Sequence, residues 1–284
     1  MLTILATLIA AQVQPLTPPP DTDTPTRSES LLAPADPGSS VVELEAKAAP
    51  NRSVYKIRLG IDVPVTVAGG IVAAVRFFGT EKIVRRSCPC DPATLNHVDR
   101  SVVRYHNRDF QLAADISLGL MIGIPIVLDA LDLGFTKPFF EDLMIFIETL
   151  SIDTAFQAGT ALIAQRPRPA SYAGDPAIID RGEGYASFYA GHVATAVATM
   201  SVVSQTLRYR YGHRVWPWIV TVAAGTSMAF MRMGAGSHFP TDVIVGGLAG
   251  LAVGITVPWL HARAPEAQVR IVPSLGGVGV AGRF

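Results

Sequence analysis

Three short runs of this sequence combine residue types that can handle a phosphoryl group. In Arg232-Met-Gly-Ala-Gly-Ser-His238-Phe-Pro-Thr-Asp242, an arginine precedes a histidine by six positions and an aspartate follows it by four. Pro240 suits the first turn of a helix, so His238 falls just ahead of that helix and Asp242 inside its first turn. From there the carboxylate is expected to reach back to one imidazole nitrogen and fix the tautomer. The other nitrogen then keeps a lone pair for nucleophilic attack. Taken alone, a His-x-x-x-Asp pair is equally a satisfied helix cap. The second run, Ser187-Phe-Tyr-Ala-Gly191-His192, opens an apolar segment. Gly191 would let the backbone approach an anion beside unpaired helix N–H groups, and His192 could pass a proton to a leaving oxygen. The third, Gln165-Arg-Pro-Arg-Pro169, offers the forked donors of Arg166 and Arg168 on a stretch stiffened by proline.

The elements that must position these runs are apolar. Six segments lie near 59–78, 114–134, 138–165, 189–207, 215–231 and 240–260, each of a length suited to a membrane helix, for which about 20 residues span the hydrocarbon core. The expected architecture is an all-α, six-helix, membrane-embedded bundle. Counting crossings puts the connections that bear the three runs on one face, as a single site requires. Gly246, Gly250 and Gly254 repeat at four-residue spacing and predict a close helix contact. Asp115, Asp129, Asp132, Glu141, Asp142, Glu148 and Asp153 interrupt or flank the second and third segments. Acids at bilayer depth are costly and should face the bundle interior or a polar cavity. They also leave open a soluble helical bundle whose buried helices merely resemble spans.

Composition agrees with this frame. The chain has 284 residues, 49% of them hydrophobic and 16% charged, with 23 basic and 23 acidic residues. Without a basic excess, nucleic-acid binding is not expected. Residues 1–45 divide into an apolar start, Met1–Ala11, that resembles an export signal without a basic n-region, and a Pro/Ser/Thr-rich linker that cannot build a core. The helical domain is placed at 46–262, and 263–284 is a Gly-rich tail, read as flexible in preference to a short hairpin. Cys88 and Cys90 flank one proline. They read either as free thiols in a loop or as a disulfide that an exported protein could keep.

The three runs together resemble the type 2 phosphatidic acid phosphatase superfamily, which includes lipid phosphate phosphatases, soluble bacterial acid phosphatases and vanadium haloperoxidases. Its signature reads Lys, six residues, Arg-Pro; then Pro-Ser-Gly-His; then Ser-Arg, five residues, His, three residues, Asp. Here Arg168-Pro169, Gly191-His192 and the set Arg232, His238 and Asp242 match it, over about residues 55–262. The resemblance implies a metal-free, cofactor-free phosphohistidine mechanism. His238 is the nucleophile, Asp242 orients it, and His192 is the acid. Arg168, Arg232 and the Gly191 N–H hold the phosphate of a lipid or isoprenoid substrate. The chain departs from the signature at Ala161, Tyr189, Ala190 and Met231, so the usual lysine and one hydroxyl are missing. Arg166 is the expected substitute for the lysine. Each lost charge-assisted contact is worth about 1.5–3 kcal/mol, which keeps a second reading open: a non-catalytic member that binds phosphorylated headgroups in the cell envelope. The haloperoxidase branch is disfavoured, because its site also uses the missing lysine and serine.

The basic run Arg208-Tyr-Arg-Tyr-Gly-His-Arg214 lies opposite the active face and reads as cytoplasmic. The site is therefore expected on the extracytoplasmic side. A cleaved export signal would reverse that count, unless the first apolar segment does not span or the bundle is exported whole.

Overall fold

The computed structural model describes residues 52–263 and the backbone of 268–274 and 277–283. The export-signal and linker segments expected over 1–45 lie outside the described residues. Among the described residues, all six apolar segments form long helices: α1 (Leu59–Ile83), α2 (Arg108–Leu133), α3 (Lys137–Ala164), α4 (Gly191–Tyr211), α5 (Trp216–Gly234) and α6 (Pro240–His261). Local chemistry sets their limits. The Asn107 side chain accepts from the backbone N–H of Asp109 at 2.8 Å and caps α2. Proline stands in the first turn of α3, α5 and α6, where its missing N–H costs no helical bond.

α4 is the hub, in contact with α2, α3, α5 and α6, while α1 packs on α3. Its contact with α6 is the closest of these, and the glycine repeat explains it. A Cβ at Gly246 or Gly254 would fall 2.6 or 2.7 Å from the carbonyl oxygen of Ala190 or Ala198, and at Gly250 closer still to that of Ala194. Three glycines thus meet three alanines at matched spacing, and the two backbones touch.

The acids separate as their cost requires. Glu141, Asp142, Glu148 and Asp153 on α3 are buried. Asp142 pairs with the equally buried Arg210 of α4, and Glu141 with Arg263 at 3.2 Å. Apolar side chains point the other way: Ile71, Phe77 and Phe78 on α1, and Leu120, Leu128 and Leu131 on α2, are exposed. Helices α1, α2 and α6 are each long and apolar enough to cross a membrane. An outer surface of this kind is stable against lipid, not against water.

One open alternative is settled and one expectation changes. Cys88 and Cys90 form a disulfide, with Cα atoms 4.5 Å apart, inside the range such a bond needs. The C-terminal tail pairs as an antiparallel hairpin of β1 (Gln268–Ser274) and β2 (Gly277–Arg283), in register from Gln268 with Arg283 to Ser274 with Gly277. The alternating residues of this stretch suit a ladder.

Candidate active site

The three runs meet at one end of the bundle, and backbone hydrogen bonds join them. The Ser187 N–H donates to the Arg166 carbonyl at 3.0 Å, and Arg168 N–H to Gly184 at 2.8 Å. Ala170 N–H donates to Gly236 at 3.2 Å, and Ala190 N–H to Asp242 at 3.1 Å. The chain turns from α5 toward His238 through Gly236, whose φ is +68° and which lies so close to the Tyr105 carbonyl that any Cβ would collide. The connection from α1 to α2 also reaches this face, as the crossing count predicts. Its Asp99 accepts from Thr241 N–H at 3.2 Å and from Arg166 at 2.7 Å.

His238 is 3% exposed. Its Nδ1 lies 2.7 Å from the carbonyl oxygen of Ser187. A carbonyl only accepts, so Nδ1 carries the proton. Burial, then the charges of Arg232 and Arg168, push the pKa of His238 well below the ordinary histidine value. The ring is therefore neutral, and its Nε2, which makes no hydrogen bond among the described residues, keeps its lone pair.

This geometry corrects the expected part of Asp242. Its carboxylate accepts from the Ser187 hydroxyl at 2.5 Å, from Phe239 N–H at 3.0 Å, and from Arg166. The imidazole is held by the Ser187 carbonyl, and Asp242 acts one residue away by fixing Ser187. Capping its own helix leaves the carboxylate facing back along the chain, so the backbone oxygen takes the ring proton.

Arg166 departs from expectation as well. One terminal nitrogen meets Asp242 and the Thr241 hydroxyl, the latter at 2.9 Å, and the other meets Asp99. The guanidinium lies 4.2 Å above the centre of the Phe239 ring. Two buried carboxylates and an aromatic face engage it, so it braces the loops and is not a spare cation.

The remaining groups are less committed. His192 Nε2 is 2.8 Å from Asp115 Oδ1, and the same carboxylate oxygen is 3.5 Å from Arg232. Arg168 and Arg76 both donate to Glu183 Oε2 at 3.1 Å. Among the described residues, the Nε atoms of Arg76, Arg168 and Arg232 are buried without a hydrogen-bond partner. Burial, with Arg76 acting in the same direction, lowers the pKa of Arg168, and Glu183 opposes this. Gly191 opens α4, so its N–H is among the unpaired donors of that helix start. Ala161 is buried in α3 and brings no charge.

Sequence reasoning assigned no role to Ser187, Asp99, Arg76 or Glu183. The Ser187 contribution is a backbone oxygen, which no residue type announces. Arg76 did leave a signal, as a lone arginine within the apolar face of α1. Asp115 carried the same kind of signal on α2, and facing a polar cavity was what its position required.

The family model of the PAP2 superfamily matches residues 142–266. The match runs from α3 through α6 and takes in the Arg168, His192, Arg232, His238 and Asp242 positions, so it is this stretch that is similar to the PAP2 superfamily. No curated protein and no solved structure matches the chain.

Proposed function

We propose that this protein is a metal-independent phosphatase that hydrolyses phosphomonoester or pyrophosphate groups of lipid or isoprenoid phosphates. PAP2 proteins act on phosphate esters in general, and the exposed apolar helices favour a substrate carried in a membrane. The observation that carries the reading is His238: buried, neutral, with Nδ1 locked to Ser187 and its Nε2 lone pair beside Arg168 and Arg232. In the first step the Nε2 lone pair attacks phosphorus. The N–P bond forms as the P–O bond to the lipid breaks, and the departing oxygen takes a proton from His192, which Asp115 holds in place. Water then attacks the phosphohistidine, breaking the N–P bond and releasing inorganic phosphate. Arg168 and Arg232 supply the positive charge that offsets the developing negative charge on the phosphoryl oxygens. Arg76, which shares Glu183 with Arg168, supplies the cation missing at Ala161.

An extracytoplasmic active face fits the Cys88–Cys90 disulfide, a bond kept in oxidising compartments. The Cys88 N–H lies 3.4 Å from the Tyr185 hydroxyl, on the loop leading to Ser187. The test is phosphate release from phosphatidic acid and from undecaprenyl pyrophosphate in detergent or vesicles. The expected outcome is turnover of at least one, lost by about 10⁴-fold or more in His238→Ala, together with an acid-labile phosphoenzyme in the native protein. Binding of both lipids with turnover of neither would instead support the headgroup-binding reading. That reading draws on Glu183 and Asp115, whose carboxylates stand where phosphate would have to displace them.

A further inference from the structure

At the far end of α6, three ligating side chains from three helices converge, the two carboxylates buried and the histidine partly so. α6 rises by about 1.5 Å per residue, so His261 lies roughly 30 Å along the helix from Asp242. Its neighbours are Asp62 of α1 and Glu148 of α3, and one ligand atom from each of the three lies within 4.8 Å of the others. The side chains of Asp62, Glu148 and His261 are 2%, 5% and 13% exposed. Among the described residues, neither carboxylate has a lysine or arginine within ion-pair distance.

The orientation of His261 is the informative detail. Its Nδ1 lies 2.8 Å from the Val257 carbonyl, which can only accept, so that nitrogen carries a proton. Nε2 then faces Asp62 Oδ1 at 3.3 Å and Glu148 Oε2 at 3.7 Å. A ring protonated at Nε2 as well would donate to Asp62, whereas a neutral ring turns its lone pair toward both carboxylate oxygens, and a cation between them would be held by all three. Among the described residues, Glu148 Oε2 is itself buried with no hydrogen-bond partner, and it lies 3.7 Å from Nε2. Asp62 is oriented from outside, since its Oδ2 accepts the Arg58 N–H at 2.5 Å. A carbonyl fixing the distal nitrogen of a histidine is how a metal ligand is held.

We propose that Asp62, Glu148 and His261 bind one divalent transition-metal ion of the zinc type. Tetrahedral zinc with bonds of about 2.0–2.2 Å sets its ligands about 3.4 Å apart, and 3.3 and 3.7 Å bracket that value. Two carboxylates and a neutral imidazole would balance the ion's charge, with water as a fourth ligand. The ion would tie α1, α3 and α6 together at the end opposite His238. Its part is structural, and it does not depend on the phosphatase reading.

The experiment is metal analysis of the full chain, purified in detergent with an affinity tag that does not bind metal, then stripped with chelator and reloaded with zinc alone. The expected result is about one zinc per chain, with a higher thermal midpoint on reloading. Glu148→Gln, close to isosteric, should weaken binding by about tenfold or more, and His192→Ala should leave it unchanged. Failure to retain zinc after loading overturns the proposal. So does stoichiometric zinc that Glu148→Gln and Asp62→Asn both leave unaffected, since the ion would then sit elsewhere. Should the Glu148 variant not fold, the stripping and reloading of the native chain decides alone.

Discussion

The two ends of the bundle handle charge in opposite ways. Away from the candidate site, Asp142 and Arg210 close into a pair, 6% and 1% exposed, and Arg210 also donates to the Arg52 carbonyl. At the site Arg76, Arg168 and Arg232 are also largely buried, but the carboxylates that meet these three are open. Glu183 is 43% exposed and Asp115 is 49% exposed. A half-solvated carboxylate holding a buried guanidinium can be exchanged for another anion at little cost, because water takes over the released acid. A buried pair has no such exit. One end is therefore built for permanence and the other for replacement of one anion by another.

The largest expected effect tests the permanent end. Asp142→Ala leaves Arg210 buried beside an emptied position, and breaking a buried pair costs about 3–5 kcal/mol. The thermal midpoint should drop sharply, while kcat/KM per folded molecule stays close to native. A large loss of kcat/KM in the folded fraction would erase the distinction between the two ends.

The second effect comes from the exchangeable end. Arg232→Ala should lower kcat/KM by about 10²–10³-fold, the scale of losing one preorganised donor to a transition-state oxygen. Stability should change far less than in Asp142→Ala, because the freed Asp115 is half exposed. Comparing the midpoints of the two purified variants checks this directly.

The fold was legible because it rests on segment length, apolarity and glycine spacing, all of which act locally. All six helices appear, and the Gly246, Gly250 and Gly254 row meets a neighbour as predicted. The convergence of the three runs was also legible, since it follows from counting crossings. What the sequence hid is who holds whom. Arg166 and Arg168 are two residues apart and chemically identical, yet one is clamped by Asp99 and Asp242 and the other faces the site. That choice depends on Asp99, which arrives from a distant connection, and no spacing rule reaches so far. Asp242 was misread for a related reason. The competitor for the imidazole was a backbone carbonyl, present at every residue and visible at none.

Acidity provides the third effect. His238 has a folded pKa well below the ordinary histidine value near 6.5. Below that value the unfolded chain gains a proton that the folded chain refuses, so the stabilising contribution is full above about pH 6.5 and declines as pH falls. The midpoint of the native protein should thus fall faster between pH 7 and pH 5 than that of His238→Gln, which has no group to titrate there. The same depression keeps the proposed nucleophile neutral, so its own acid limb in kcat/KM should lie below pH 6.5. Identical midpoint profiles for the two proteins would mean that His238 is not held neutral by its surroundings.

The smallest effect is the sharpest test of exchange at the site. Glu183 Oε2 takes one donor each from Arg76 and Arg168, so on the proposed reading an incoming phosphate would compete with it for both. Glu183→Gln removes the charge and keeps the shape. A half-exposed pair is worth about 0.2–1 kcal/mol, so inhibition by inorganic phosphate should strengthen by only about two- to fivefold. The direction matters more than the size. If Glu183 were a structural brace like Asp142, its loss would loosen Arg168 and weaken phosphate binding. If it is a placeholder, its loss frees two guanidinium groups and binding tightens. A tighter phosphate in Glu183→Gln, cancelled by adding Arg76→Ala, would show that Arg76 contributes the cation that Ala161 does not.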